Sequence, residues 1–95
     1  MSLLFCMEFE WDERKRHANI EKHGIDFVDA AMMLAENPLM AQDNRHDYGE
    51  IRCHAMGTYE NIVLHVTFTL RGNVFRIISA RRANARERKL YEHNG

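Results

Sequence analysis

Arg52, His54, Thr69 and Arg76 are the residues whose types and spacing offer a chemistry. Arg76 lies inside an apolar run, Val74-Phe75-Arg76-Ile77-Ile78. A charge there needs a partner, a sheet edge or an open cleft. Arg52 sits in a second strand-like run, with His54 two residues on. Guanidinium groups bind phosphate oxygens in pairs and keep their charge at neutral pH. Histidine exchanges a proton near neutrality. Together they suit metal-free cleavage of RNA. In that reaction a base takes the ribose 2′-hydroxyl proton, the oxygen attacks the adjacent phosphate, cations hold the developing charge and an acid protonates the leaving oxygen. Tyr91 and Glu50 are candidates to reach the same end. The bland alternative is that Arg52 and Arg76 pair with Glu50 or a helix carboxylate.

The elements that must position these groups are three consecutive strands, predicted over residues 51–59, 62–70 and 74–80, with turns at Glu60-Asn61 and Arg71-Gly72-Asn73. A two-residue turn at Glu60-Asn61 sets Arg52 opposite Thr69, His54 opposite Thr67 and Met56 opposite His65. A turn at Gly72-Asn73 sets Thr69 opposite Arg76 and Thr67 opposite Ile78. Arg52, Thr69 and Arg76 then form one row, the arginines about 10 Å apart at their backbones. The other face carries Cys53-Phe68-Ile77 and Ala55-Val66-Ser79, an apolar surface for a helix. A slip of one residue in either turn would break the row.

Before the meander, residues 3–9 read as a short apolar strand. Asp12 caps a charged helix that runs to about His23, and Gly24 ends it in the left-handed conformation. Asp26 opens a second, apolar helix with Asp29 in its first turn. Phe27, Ala31 and Leu34 form its stripe, widened by Val28, Ala30, Met32 and Met33, and Asn37-Pro38 stops it. The methionines read as core filler. Residues 39–42 suggest an edge strand and 43–49 a polar loop. After the meander, Asn84 caps a last helix and Glu87 completes a capping box. The fold class is α+β: an antiparallel sheet of about four strands, packed by two helices from the first half of the chain, plus a C-terminal helix.

At 95 residues the chain fits one small domain, 1–95, with a single modest core. The net charge of −1 excludes a generally basic nucleic-acid binder. Charge is nonetheless uneven. Between Asp26 and Glu50 six acids face Arg45 alone, whereas between Arg71 and Lys89 seven bases face Glu87 alone. Arg82 and Lys89, in that basic run, join Thr69 as candidates for holding RNA. No apolar run is long enough to span a bilayer, and no secretion signal opens the chain. Cys6 and Cys53 therefore read as reduced core thiols of a cytoplasmic protein. No metal-ligand spacing is present: His17 and His23 do not share a helix face, and no acid is clearly placed beside His54 and His65. Phosphate-cradling glycine motifs are absent. No metal and no cofactor are expected.

In order along the chain come Phe9-Glu10-Trp11-Asp12, Asn19-Ile20-Glu21-Lys22-His23-Gly24-Ile25-Asp26-Phe27, Asp47-Tyr48-Gly49-Glu50-Ile51-Arg52, Arg76-Ile77-Ile78-Ser79-Ala80-Arg81-Arg82-Ala83 and Glu87-Arg88. This series resembles the BrnT family of ribonuclease toxins over nearly the whole chain. The resemblance implies a RelE-like fold, metal-independent RNA cleavage and inhibition by a BrnA-type antitoxin. Such an antitoxin carries a ribbon-helix-helix domain, so operator DNA would be bound only through it. A homodimer or a toxin–antitoxin heterotetramer would fit. The resemblance points to Arg52, Arg76, Arg81 and nearby polar groups as the active region and leaves the general base open; the strand register adds His54 as a catalytic candidate. The competing reading is a non-catalytic RNA-binding or protein-interaction module on the same scaffold.

Overall fold

The computed structural model describes residues 7–36, 38–43 and 50–94. Expectations for residues 3–6, Cys6, Asn37 and the loop 44–49 lie outside them. The elements are β1 (Glu8–Glu10), α1 (Glu13–His23), α2 (Phe27–Ala35), β2 (Leu39–Gln42), β3 (Ile51–Tyr59), β4 (Ile62–Arg71), β5 (Val74–Arg82) and α3 (Ala85–Asn94). The architecture is α+β. The sheet holds five strands in the order β1-β5-β4-β3-β2, where about four were expected. The fifth is β1, which runs parallel to β5 while every other pairing is antiparallel. Parallel partners need a long crossover. Here about two thirds of the chain separates the two strands, so no local turn signal announces the pairing.

Local chemistry sets the element ends. Asp12 accepts from the backbone N–H groups of Arg14 and Lys15, and Asp26 from that of Val28. Gly24 takes φ 73°, a left-handed value that suits glycine at a helix end. Glu60 and Asn61 both take positive φ, 49° and 67°, as a tight hairpin turn requires. Asn84 and Glu87 form the reciprocal capping box, each side chain accepting from the other's backbone N–H.

The core lies between α2 and one face of the sheet. Phe27, Ala30, Met33 and Leu34 are buried against Leu64, Val66, Phe68, Ile77 and Ala80. The buried stripe is therefore rotated from the expected one, for Val28 and Met32 are exposed. Gly57 on β3 is what lets α2 come so close: a Cβ there would lie 2.5 Å from Sδ of Met33. At the other side of the sheet, α1 closes the edge of β5 beyond β1. Buried Asn19 donates to the carbonyl of Ala80 at 2.7 Å and accepts from its N–H at 3.1 Å, as a neighbouring strand would. It also donates to the carbonyl of Ile25.

Candidate active site

The strand registers settle which side chains share the open face. Arg52 pairs with Thr69, and Thr69 with Arg76, so the expected row exists. His54 pairs with Thr67, as expected. Beyond this the expected register fails, because a bulge interrupts β5 opposite the Thr67–Phe68 step. Thr67 faces Ser79 instead of Ile78, and Val66 faces Ala80 instead of Ser79. The physical reason is burial: Phe75, Ile77 and Ala80 all enter the core, and the odd spacing after Ile77 demands one extra residue. The bulge has a consequence for charge. In an unbroken strand Arg81 would oppose Leu64 on the core face. With it, Arg81 opposes His65 on the open face.

The open face thus has three successive rows on β3, β4 and β5. They are Arg52-Thr69-Arg76, His54-Thr67-Ser79 and Met56-His65-Arg81. Helix α3 meets the last row and the hairpin end next to it. Arg81 donates two hydrogen bonds to the Glu87 carboxylate, 2.8 and 2.9 Å. Nε2 of His65 lies 3.6 Å from the same carboxylate. The hydroxyl of Thr58 donates to Tyr91 Oη at 3.3 Å, which puts Tyr91 at the end away from Arg52 and Arg76. The Arg81 guanidinium holds the Glu87 carboxyl down to about 2, and Glu87 in turn raises Arg81. Burial pushes the pKa of His65 below its ordinary value, against the pull of Glu87.

His54 sits at the centre. Its Nε2 is 3.1 Å from Oδ2 of Asp43, and its Nδ1 is 3.2 Å from the hydroxyl oxygen of Thr67. The Asp43 side chain is 2% exposed and that of His54 is 30% exposed. An ionised carboxylate only accepts. The proton therefore belongs on Nε2, and in the neutral ring Nδ1 is left as the acceptor for the Thr67 hydroxyl. The edge strand delivers Asp43. Gln42 pairs with Cys53, and the backbone N–H of Asp43 donates to the carbonyl of Arg52 at 2.7 Å. The rings of His54 and His65 are 5.2 Å apart at their centroids.

The remaining candidates divide. Arg76 lies in its row and bonds Glu10 of β1 at 2.7 Å, both side chains being over two-fifths exposed. Its partner is thus neither Glu50, which lies 3.6 Å from Arg71, nor a helix carboxylate. Thr69 is 2% exposed, on the floor between the two arginines, and its hydroxyl has no hydrogen-bond partner among the described residues. Arg82 opposes Leu64, so it leaves from the face opposite to Arg81 and is exposed. Lys89 is exposed on α3, half a turn from Glu87. The open face brings together Arg52, His54, Thr69, Arg76 and Arg81; Arg82 and Lys89 stand apart.

Three carboxylates escaped the sequence reading. An acid does lie beside each histidine, Asp43 by His54 and Glu87 by His65, contrary to expectation. Glu87 carried a visible signal as a capping residue, but both of its oxygens also accept from Arg81. Asp43 carried none, since the β2–β3 register depends on a long connection. Glu10 needed the parallel pairing of β1. Cys53 is half-buried, and burial raises its thiol pKa, which disfavours the reactive thiolate. Among the described residues, no three His, Cys, Asp or Glu side chains gather as metal ligands, and no helix is long and apolar enough to cross a membrane.

Comparisons with known proteins bear on the family and the fold. Residues 11–87 match the family model described as ribonuclease toxin, BrnT, of type II toxin-antitoxin system. The crystal structure of the Brucella abortus ribonuclease toxin BrnT is similar, with 33% sequence identity and a TM-score of 0.65. The likeness covers 82% of this chain and 97% of that one. No curated protein matches.

Proposed function

The chain belongs to the BrnT family of ribonuclease toxins of type II toxin-antitoxin systems, and on that premise we propose that it is a metal-independent endoribonuclease whose reaction takes place on the open sheet face. One observation carries this reading: the Asp43–His54–Thr67 hydrogen-bond chain runs one row from Arg52 and Arg76. Asp43 holds the proton on Nε2, so Nδ1 points an electron pair towards the groups of the open face. An RNA 2′-hydroxyl that takes the place of the Thr67 hydroxyl gives its proton to Nδ1. The 2′-oxygen bonds the adjacent phosphorus, and the bond from phosphorus to the 5′-oxygen breaks. Arg52 and Arg76 hold the non-bridging oxygens as charge builds on them. The departing 5′-oxygen takes a proton from water, the proton held on Nδ1 returns to solvent, and a 2′,3′-cyclic phosphate remains. Arg81, clamped by Glu87, keeps α3 and His65 in place beside His54.

The family implies an antitoxin partner and RNA as substrate. In our reading the partner is of the BrnA type, its ribbon-helix-helix domain alone contacts operator DNA, and the pair acts in the cytoplasm, where free toxin halts translation by cutting RNA. Exposed apolar side chains support a partner surface: Leu39 and Met40 on β2, and Ile51 beside it. All four residues of β2 are exposed at the sheet edge, which suits addition of a strand.

A non-catalytic RNA-binding module is favoured by one observation, the pairing of Arg76 and Arg81 with carboxylates. Substitution separates the two readings. His54→Ala should slow RNA cleavage by about 10²- to 10⁴-fold while RNA binding stays within a few-fold. Cleavage by His54→Ala at the wild-type rate would remove His54 from the chemistry.

A further inference from the structure

We infer that the groove between α1 and β5 is a second phosphate subsite, which takes a phosphodiester flanking the one cleaved at His54. This rests on the proposed reading of the open face as an RNA site, and it adds the bases of α1, which none of the three rows contains. The groove is lined by Lys15, Lys22 and His23 of α1 together with Ile78 and Ser79 of β5, and among the described residues no carboxylate lines it.

The geometry explains why these bases face the site. Asn19 fixes the rotation of α1 by its paired bonds to Ala80. Arg16 then turns to the α2 side, where it donates to both oxygens of Asp26 at 2.8 and 3.0 Å. Lys15 and Lys22, seven residues apart, share one stripe on the other side of Asn19. That side adjoins the bulge of β5. Ser79 is common to the groove and to the middle row, where it opposes Thr67, the partner of Nδ1 of His54. The groove therefore continues the reaction row past the sheet edge. The acid nearest in sequence to Lys15, Glu13, is occupied with the indole N–H of Trp11 and the guanidinium of Arg16. Two exposed ammonium groups, an imidazole and a hydroxyl remain along the groove, and a chain of phosphates has the complementary charge. Lysine makes such contacts as a point charge, so the subsite reads backbone and not base.

The test is the salt dependence of binding to a fluorescent, fully 2′-O-methylated RNA oligonucleotide, which cannot be cleaved. The Lys15→Ala/Lys22→Ala variant is compared with wild type and with Arg14→Ala/Arg86→Ala, which removes the same charge elsewhere. Exposed helix positions tolerate alanine well. For single strands each lost phosphate contact flattens the plot of log K against log salt by about 0.7, so the lysine variant should be shallower by about 1.4, with the arginine variant unchanged. Cleavage of a dinucleoside monophosphate, which has no flanking phosphate, should proceed in the lysine variant as in wild type. An unchanged slope, an equal change in the arginine variant, or no binding by wild type would overturn the subsite. A flattened slope in a protein that cleaves nothing would leave the subsite standing and remove the proposed chemistry.

Discussion

The Asp43 carboxylate stands 3.1 Å from Nε2 of His54 and is shut away from solvent, directly after an edge strand whose own residues are all exposed. Exclusion of water strengthens the bond and fixes the ring's tautomer. Asp43→Asn keeps the shape but lets an amide donate to Nε2, which moves the ring proton to Nδ1. The acceptor towards the open face is then lost. The rate of cleavage at saturating RNA should fall by about 10²-fold or more, with KM little changed. Imidazole ¹⁵N shifts should report the altered tautomer of His54. A wild-type rate alongside a switched tautomer would show that Nδ1 is not the base.

If Arg76 holds RNA phosphate as proposed, Glu10 competes with RNA for it. The pair is short, 2.7 Å, but both side chains are largely exposed. Such pairs contribute only about 0–1 kcal/mol. Glu10→Gln should therefore leave thermal stability nearly unchanged and tighten RNA binding by up to about fivefold. Weaker binding would mean that Glu10 positions Arg76 instead of masking it.

The clamp between α3 and the sheet should show in acid. Glu87 has a folded pKa of about 2 against an ordinary 4.5, chiefly because Arg81 bonds it. Its depressed value means that its stabilisation is fully present above about pH 4.5 and disappears as pH falls towards 2. Glu87→Gln should lower Tm clearly at pH 6 and hardly at all near pH 2. A Tm difference that stays constant across this range would show that the carboxylate's charge is not what holds α3.

The strands, the caps and the Arg52-Thr69-Arg76 row were legible because each follows from a local rule. Tight turns fix the neighbouring registers, and Asp12, Gly24, Asp26 and Asn84 mark helix ends by their own backbone chemistry. What was hidden depends on contacts far apart in the chain. The pairing of β1 with β5 joins segments some 64 residues apart (Glu10 to Val74), and it brings Glu10 to Arg76. Asp43 reaches His54 through the pairing of β2 with β3. The β5 bulge was misread because Ile77-Ile78 looks like an unbroken apolar strand. Only the burial of Ala80 shows that one of these isoleucines is the extra residue.

Most directly, the account is tested by incubating purified protein with RNA in excess EDTA and identifying the new ends. Cleavage through the 2′-hydroxyl, with His54 as base and Arg52 and Arg76 as the positive charges, predicts 2′,3′-cyclic or 3′-phosphate ends, 5′-hydroxyl ends, and no cleavage of RNA carrying 2′-O-methyl groups. Strict dependence on added divalent metal, or 5′-phosphate ends, would contradict it.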